Sequence, residues 1–310
     1  MKIIIRTFKK YAFSGVLLFV LNISYANNSN GLIKIEGGTM YYQKFGCTGE
    51  PILIINGGPG MDSKGFSDLA KKLSINNQTI IYDQRGTGKS TLKKVNSNTV
   101  TMALMAKDIE ILRKKLKIDS WIILGHSFGG LLASYYSVNY PNSVRKLILS
   151  SSGGLDLNFM NYVNNNINKK LSKNDRVALS SISTKIWFGF DSKENLYKKG
   201  LILANAYLFN KKYKKVIAKR LTLVNHKING LVFNDLKKIN FNCKNKMQEF
   251  SKPTLILQGT EDIINIETAR EIHKNIKKSK LVIMEKCAHY GWLDRPDIYF
   301  REIKNFLAIN

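Results

Sequence analysis

The 310-residue chain is 44% hydrophobic and 23% charged, which excludes a disordered polymer and leaves room for one large α/β domain with an insertion. Its formal charge of +27 suggests nucleic acid, but Lys, Asn and Ile are spread through every segment, and no Lys/Arg run alternates with aromatics as a nucleic-acid groove would need. The charge therefore reads as solvated surface, suited at most to acidic surroundings or anionic substrates, and nucleic acid is not an expected partner.

The first expected element is a leader. Lys2, Arg6, Lys9 and Lys10 precede an uncharged apolar stretch over 11–23, and Ser24 and Ala26 put small residues where a signal peptidase reads. The stretch is short beside the roughly 20 residues of a membrane span. Residues 1–26 are thus expected to be a signal peptide on a secreted or periplasmic protein, with membrane anchoring only if the signal stays uncleaved.

Two strands are expected over 32–36 and 39–45, joined at Gly37-Gly38. Short apolar runs follow at 51–55, 79–82, 121–124 and 144–149, with helical periods over 102–116 and 131–138. Strand and helix alternate, which implies a parallel sheet. The alternation stops over 155–250, an Asn- and Lys-rich stretch with helical pattern and no clear buried strand. It resumes with strands at 253–258 and 281–285 and helices at 266–276 and 297–307. The expected organisation is a core over 27–154, an inserted helical cap over 155–250 and the rest of the core over 251–310. The cap should cover the carboxyl edge of the sheet, where ligands bind in such folds.

Gly125-His126-Ser127-Phe128-Gly129 lies between an expected strand and an expected helix. A Gly-x-Ser-x-Gly turn in that setting exposes a serine in a strained conformation, with small residues on either side avoiding clashes. Ser127 is therefore the candidate nucleophile. Its base should be one of four histidines. His126 adjoins it and should point elsewhere, His226 lies in the insert, and His273 is on the outer face of a late helix. His289 follows the last strand, at the same sheet edge as Ser127, and is the candidate base. The orienting acid should fall between them in chain order, which selects Asp262, with its neighbour Glu261 as the alternative.

The oxyanion of an acyl-transfer intermediate needs two main-chain donors. Phe128 N–H is one, and Gly58 N–H, in Gly57-Gly58-Pro59-Gly60, is the candidate for the other. Gly57, Trp187 and Glu194 are candidate substrate contacts. Trp187, Phe188, Phe190, Tyr207 and Phe209 could line an apolar pocket or serve only to pack the cap. Cys47, Cys243 and Cys287 are an odd count without metal-ligand spacing, so at most one disulfide forms, of undetermined pairing. No metal or cofactor is expected.

Together these features resemble the α/β-hydrolase superfamily over essentially all of 31–310, and within it the prolyl aminopeptidases (proline iminopeptidases). The marks are Asn56-Gly57-Gly58-Pro59-Gly60, similar to an HGGPG loop, and Asp83-Gln84-Arg85-Gly86-Thr87-Gly88-Lys89-Ser90, which matches DQRGxGxS. The resemblance implies an α/β-hydrolase fold with a cap, a serine mechanism, and structural, paired roles for Asp83 and Arg85. It also implies acidic cap groups that hold a substrate's free amino group, for which Asp191 and Glu194 are the possible carboxylates. Asn56 stands where the family usually has His, and Phe128 where it commonly has Trp. The expected substrate is a short peptide with N-terminal proline or a similar residue; a small ester or amide is the alternative. A non-catalytic binding role on the same scaffold would usually show a missing triad member, and all three are present.

Overall fold

The computed structural model describes residues 28–309, so the expected leader lies outside the described residues. Strands β1 (Ser29–Ile35) and β2 (Gly38–Phe45) form an antiparallel hairpin that turns at Gly37, where φ is +78°. Next come β3 (Pro51–Ile55), β4 (Gln78–Tyr82), the two-residue β5 (Thr91–Leu92), β6 (Trp121–His126), β7 (Val144–Ser150), β8 (Thr254–Gly259) and β9 (Ser279–Met284). The sheet order is β1-β2-β4-β3-β6-β7-β8-β9, with β5 paired to β2. From β4 onward along that order every pairing is parallel, and the pairings of β2 are antiparallel.

The continuous apolar runs of the central strands follow from burial on both faces. Leu53, Ile123, Leu149 and Ile256 point into one core layer, and Ile52, Leu124, Ile148 and Leu257 into the other. Helices α1 (Ser67–Leu73), α2 (Met102–Lys115) and α3 (Phe128–Asn139) cover the first half of the sheet. Buried residues of α2 and α3 pack into the layer of Leu53, whereas Leu69 and Leu73 of α1 pack into the opposite one.

Between β7 and β8 the chain forms α4 (Val163–Lys170), α5 (Lys173–Trp187), α6 (Lys193–Tyr207), α7 (Lys214–Leu221), α8 (His226–Lys238) and α9 (Lys244–Gln248), with no strand among these described residues. α6 and α7 approach closely enough that a Cβ on Gly200 would lie 2.5 Å from the carbonyl oxygen of Ala218. Val232, Phe241, Met247 and Phe250 tie the insert into the core. The chain ends with α10 (Ile266–Asn275), α11 (Gly291–Asp294) and α12 (Pro296–Leu307). Ala269 and Ile272 of α10 join the layer of Leu53, and Tyr299, Ile303 and Phe306 of α12 the layer of Ile52. Among the described residues no helix is long and apolar enough to cross a membrane.

Candidate active site

Ser127 sits at the junction of β6 and α3 with φ 56° and ψ −122°. A non-glycine residue there carries strain of about 1–3 kcal/mol, which surrounding packing must impose. The source is visible. A Cβ on Gly129 would lie 2.1 Å from the oxygen of Ile55, and one on Gly125 would lie 2.4 Å from the oxygen of Gly129. The turn is therefore held closer to β3 and to itself than any side chain would allow. Ser127 is the N-cap residue of α3 yet makes no side-chain capping bond, so its hydroxyl is not committed to the helix as an N-cap serine usually is.

His289 is buried in the loop after β9, and its Nδ1 lies 2.7 Å from Oδ1 of Asp262. Asp262 is itself fixed: Oδ1 accepts from Ile264 N at 3.0 Å and Oδ2 from Gln258 Nε2 at 3.1 Å. With Nδ1–H directed to a carboxylate, Nε2 is left as the basic nitrogen. The backbone N–H of His289 donates to the carbonyl of Tyr207 at 3.1 Å, and the two rings meet edge to face at 5.3 Å. Tyr207 also lines a cavity of about 640 Å³ whose wall includes Ser127, Phe128 and Gly58. Glu261, the alternative acid, is instead exposed and pairs with Lys170 at 3.4 Å.

His126 does not simply turn away from its neighbour. Its ring enters an aromatic cluster with Phe66, Tyr290 and Trp292 and lies 4.7 Å from the ring of His289. Burial pushes its pKa well below the usual histidine value, and the nearby His289 and Arg220 act in the same direction, so the imidazole is neutral.

The glycine loop closes the site from β3. Gly58 has φ +66° and lines the cavity. Gly57 is packed so tightly that a Cβ there would lie 2.6 Å from the Ser127 Cβ. Asn56 is fully buried, and its Nδ2 donates to the carbonyls of Gly57 and Met61, both at 3.2 Å. The Asp83–Ser90 segment braces this loop: Gln84 Nε2 donates to the Asn56 carbonyl at 2.9 Å. Asp83 accepts from Ser63 N and Oγ and from Lys89 N, at 2.9, 2.7 and 2.8 Å. Arg85 forks onto Asp108 at 2.8 and 2.7 Å. Both residues have internal partners, but they do not pair with each other.

A model of the alpha/beta hydrolase fold matches residues 50–296. The chain belongs to the α/β-hydrolase family. This α/β hydrolase is 26% identical over 295 residues to the proline iminopeptidase of Heyndrickxia coagulans, covering 90% of this chain and 98% of that one. Its fold superposes on the proline iminopeptidase of Mycobacterium smegmatis with a TM-score of 0.69 at 18% identity, over 90% and 97% of the two chains. An esterase from Exiguobacterium antarcticum gives 0.67 at 21% identity, over 90% and 99%.

The other expected contacts are placed differently. Trp187 is 86% exposed, and Glu194 lies on the surface, where it pairs with Lys198 at 2.7 Å. Neither lines the cavity of this α/β hydrolase; Tyr207 and Asp191 do. Phe188 and Phe190 are also turned to solvent. The reason is geometric: Trp187 is the last residue of α5 and 188–190 follow it as the turn, whereas Tyr207 ends α6, which packs directly on α7.

Three residues carry contacts that sequence patterns do not signal. Asp294 accepts from the backbone of Ala288, Phe209 and Asn210 at 2.8, 3.0 and 2.8 Å, joining the His289 loop to the insert. Tyr207 supplies the carbonyl that His289 uses. Arg220, near the end of α7, is buried and reaches the glycine loop. Cys243 and Cys287 are separate buried thiols, and burial pushes the Cys243 thiol up to about 12. Among the described residues no three His, Cys, Asp or Glu side chains group as metal ligands.

Proposed function

We propose that this α/β hydrolase is a serine hydrolase acting through an acyl-enzyme on Ser127. The observations that carry the reading are the 2.7 Å contact between His289 and Asp262 and the strained backbone of Ser127 at the wall of a cavity. Ser127 Oγ attacks the substrate carbonyl carbon as its proton passes to His289 Nε2. The oxygen that gains charge is held by the N–H groups of Gly58 and Phe128. His289 then gives its proton to the leaving group, and water releases the acyl group by the reverse sequence. Asp262 keeps the imidazole in the required tautomer and stabilises its cation.

The preferred substrate reading is a short peptide from which N-terminal proline or a similar residue is released. The names of the similar proline iminopeptidases and the Asp83–Ser90 segment support it. Asp191, the one carboxylate on the cavity wall among the described residues, is the group available for a free amino terminus. A second reading, an esterase or amidase, is favoured by the apolar character of the wall, where Phe159, Ile167, Leu203, Phe233 and Ile264 predominate.

A fluorophosphonate probe tests the chemistry: wild type should label and Ser127→Ala should not. Equal labelling of the two, or none of wild type, would remove the serine mechanism. Proline arylamide, its amino-blocked form and short nitrophenyl esters separate the substrates. Turnover of blocked and ester substrates with none of the free-amine proline compound would leave the esterase reading in place of the peptidase one.

A further inference from the structure

Arg220 belongs to a cap helix whose other cations are ordinary surface lysines, yet it is 4% exposed. Its Nη2 donates to the carbonyl of Gly57 at 2.9 Å, across 163 residues of chain. Its Nη1 lies 3.4 Å from the carbonyl of Asp62, and the guanidinium covers the Phe66 ring at 4.6 Å. The core makes room for it at Gly65, where a Cβ would lie 2.7 Å from Nη1. A cation is costly to bury, so its contacts bear on what it does there.

The carbonyl it holds is part of the machinery proposed above. Gly57 C=O and Gly58 N–H are two ends of one peptide plane, and in a trans peptide they point in opposite directions. Whatever grips the carbonyl therefore aims the N–H. Glycine on both sides leaves that plane free to rotate, since neither residue has a Cβ to restrict it. Two donors remove the freedom: Arg220 from the cap, and Asn56 Nδ2 from the core at 3.2 Å. The cationic donor also polarises the amide, which strengthens its N–H toward an oxyanion.

We infer that Arg220 is a positioning residue for the oxyanion hole: it locks the Gly57–Gly58 peptide so that Gly58 N–H faces the reacting oxygen. This rests on the reading of Ser127 as nucleophile. A consequence is that this donor is fully set only while α7 is seated on the glycine loop, which links cap placement to transition-state stabilisation without any contact between Arg220 and substrate.

The test compares wild type with Arg220→Met, which keeps a similar stem and loses the donors, and Arg220→Lys, which keeps charge and one donor direction. Readouts are kcat and KM on whichever soluble proline arylamide or nitrophenyl ester wild type hydrolyses. Affinity for a peptidyl or alkyl boronate, which forms a tetrahedral adduct on serine, is compared with affinity for the reaction product. Arg220→Met should lower kcat on the order of 10²-fold, as loss of one oxyanion donor does, with KM nearly unchanged. Boronate affinity should fall in parallel, product affinity should hold, and Arg220→Lys should recover part of the loss. A folded Arg220→Met enzyme with wild-type kcat and boronate affinity, or one altered only in KM, overturns the inference. If Arg220→Met does not fold, Arg220→Lys and Arg220→Gln decide by the same ratio of boronate to product affinity. An inert, unlabelled wild type removes this inference together with the serine mechanism, whereas a labelled wild type with an undiminished variant removes this inference alone.

Discussion

The imidazole of His126 lies 4.7 Å from that of His289, tilted by 56°, so the residue beside the candidate nucleophile packs against the candidate base. Among the described residues the His126 Nδ1 has no hydrogen-bond partner, and burial holds its pKa well below the usual value. A proton there would put a cation next to the imidazolium that the proposed acyl transfer would form at His289. The folded state keeps His126 neutral, while the unfolded chain takes up a proton below about pH 6.5. Stability from this group is therefore present at about pH 7.5 and is progressively lost as the pH falls through about 6.5 toward about pH 5. Urea unfolding of wild type and His126→Gln at both pH values checks this: the variant should lose less on acidification, and an equal loss would count against a neutral His126.

The Asp262–His289 contact predicts a specific defect. Asp262→Asn keeps the shape but presents an amide that favours the wrong imidazole tautomer, and kcat should drop about 10⁴-fold. Circular dichroism should be unchanged. Steady-state kinetics with near-normal turnover in the variant would assign the orienting role elsewhere.

Arg85 and Asp108 are both buried, with side-chain exposures of 0% and 2%. Burial raises the Asp108 carboxyl to about 6 even with Arg85 acting to lower it. Asp108→Ala strands the guanidinium in the core and should cost about 3–5 kcal/mol. Arg85→Met/Asp108→Leu, which removes both charges, should lose much less. Chemical denaturation of the three proteins measures the difference, and equal losses in single and double variants would show that volume rather than charge matters there.

Trp187 and Glu194 provide the opposite case. Both lie on the surface, so Trp187→Ala and Glu194→Ala should leave stability nearly unchanged. Neither should alter kcat/KM beyond about twofold. A tenfold loss in either would restore that residue as a substrate contact.

The parts of the site legible in the sequence are those with a local cause. The Gly125–Gly129 pentapeptide is readable because a serine at φ 56° between strand and helix requires small residues on both sides. His289 and Asp262 are readable because each follows an apolar strand on the same sheet, and all loops after parallel strands open on one edge. The insert is readable as a break in the alternation of strand and helix.

Other features depend on partners far away in the chain. Trp187 and Tyr207 are both cap aromatics with nothing local to separate them, and only the seating of α6 on α7 turns Tyr207 inward. The short strand β5 exists only because β2 lies beside it. Arg220 looks like one more cation in a lysine-rich helix until folding brings it to the Gly57 carbonyl. Backbone geometry and hydrophobic period act over a few residues and are written in order along the chain. Hydrogen bonds and charge pairing act in space, so their partners are known only once the chain is folded.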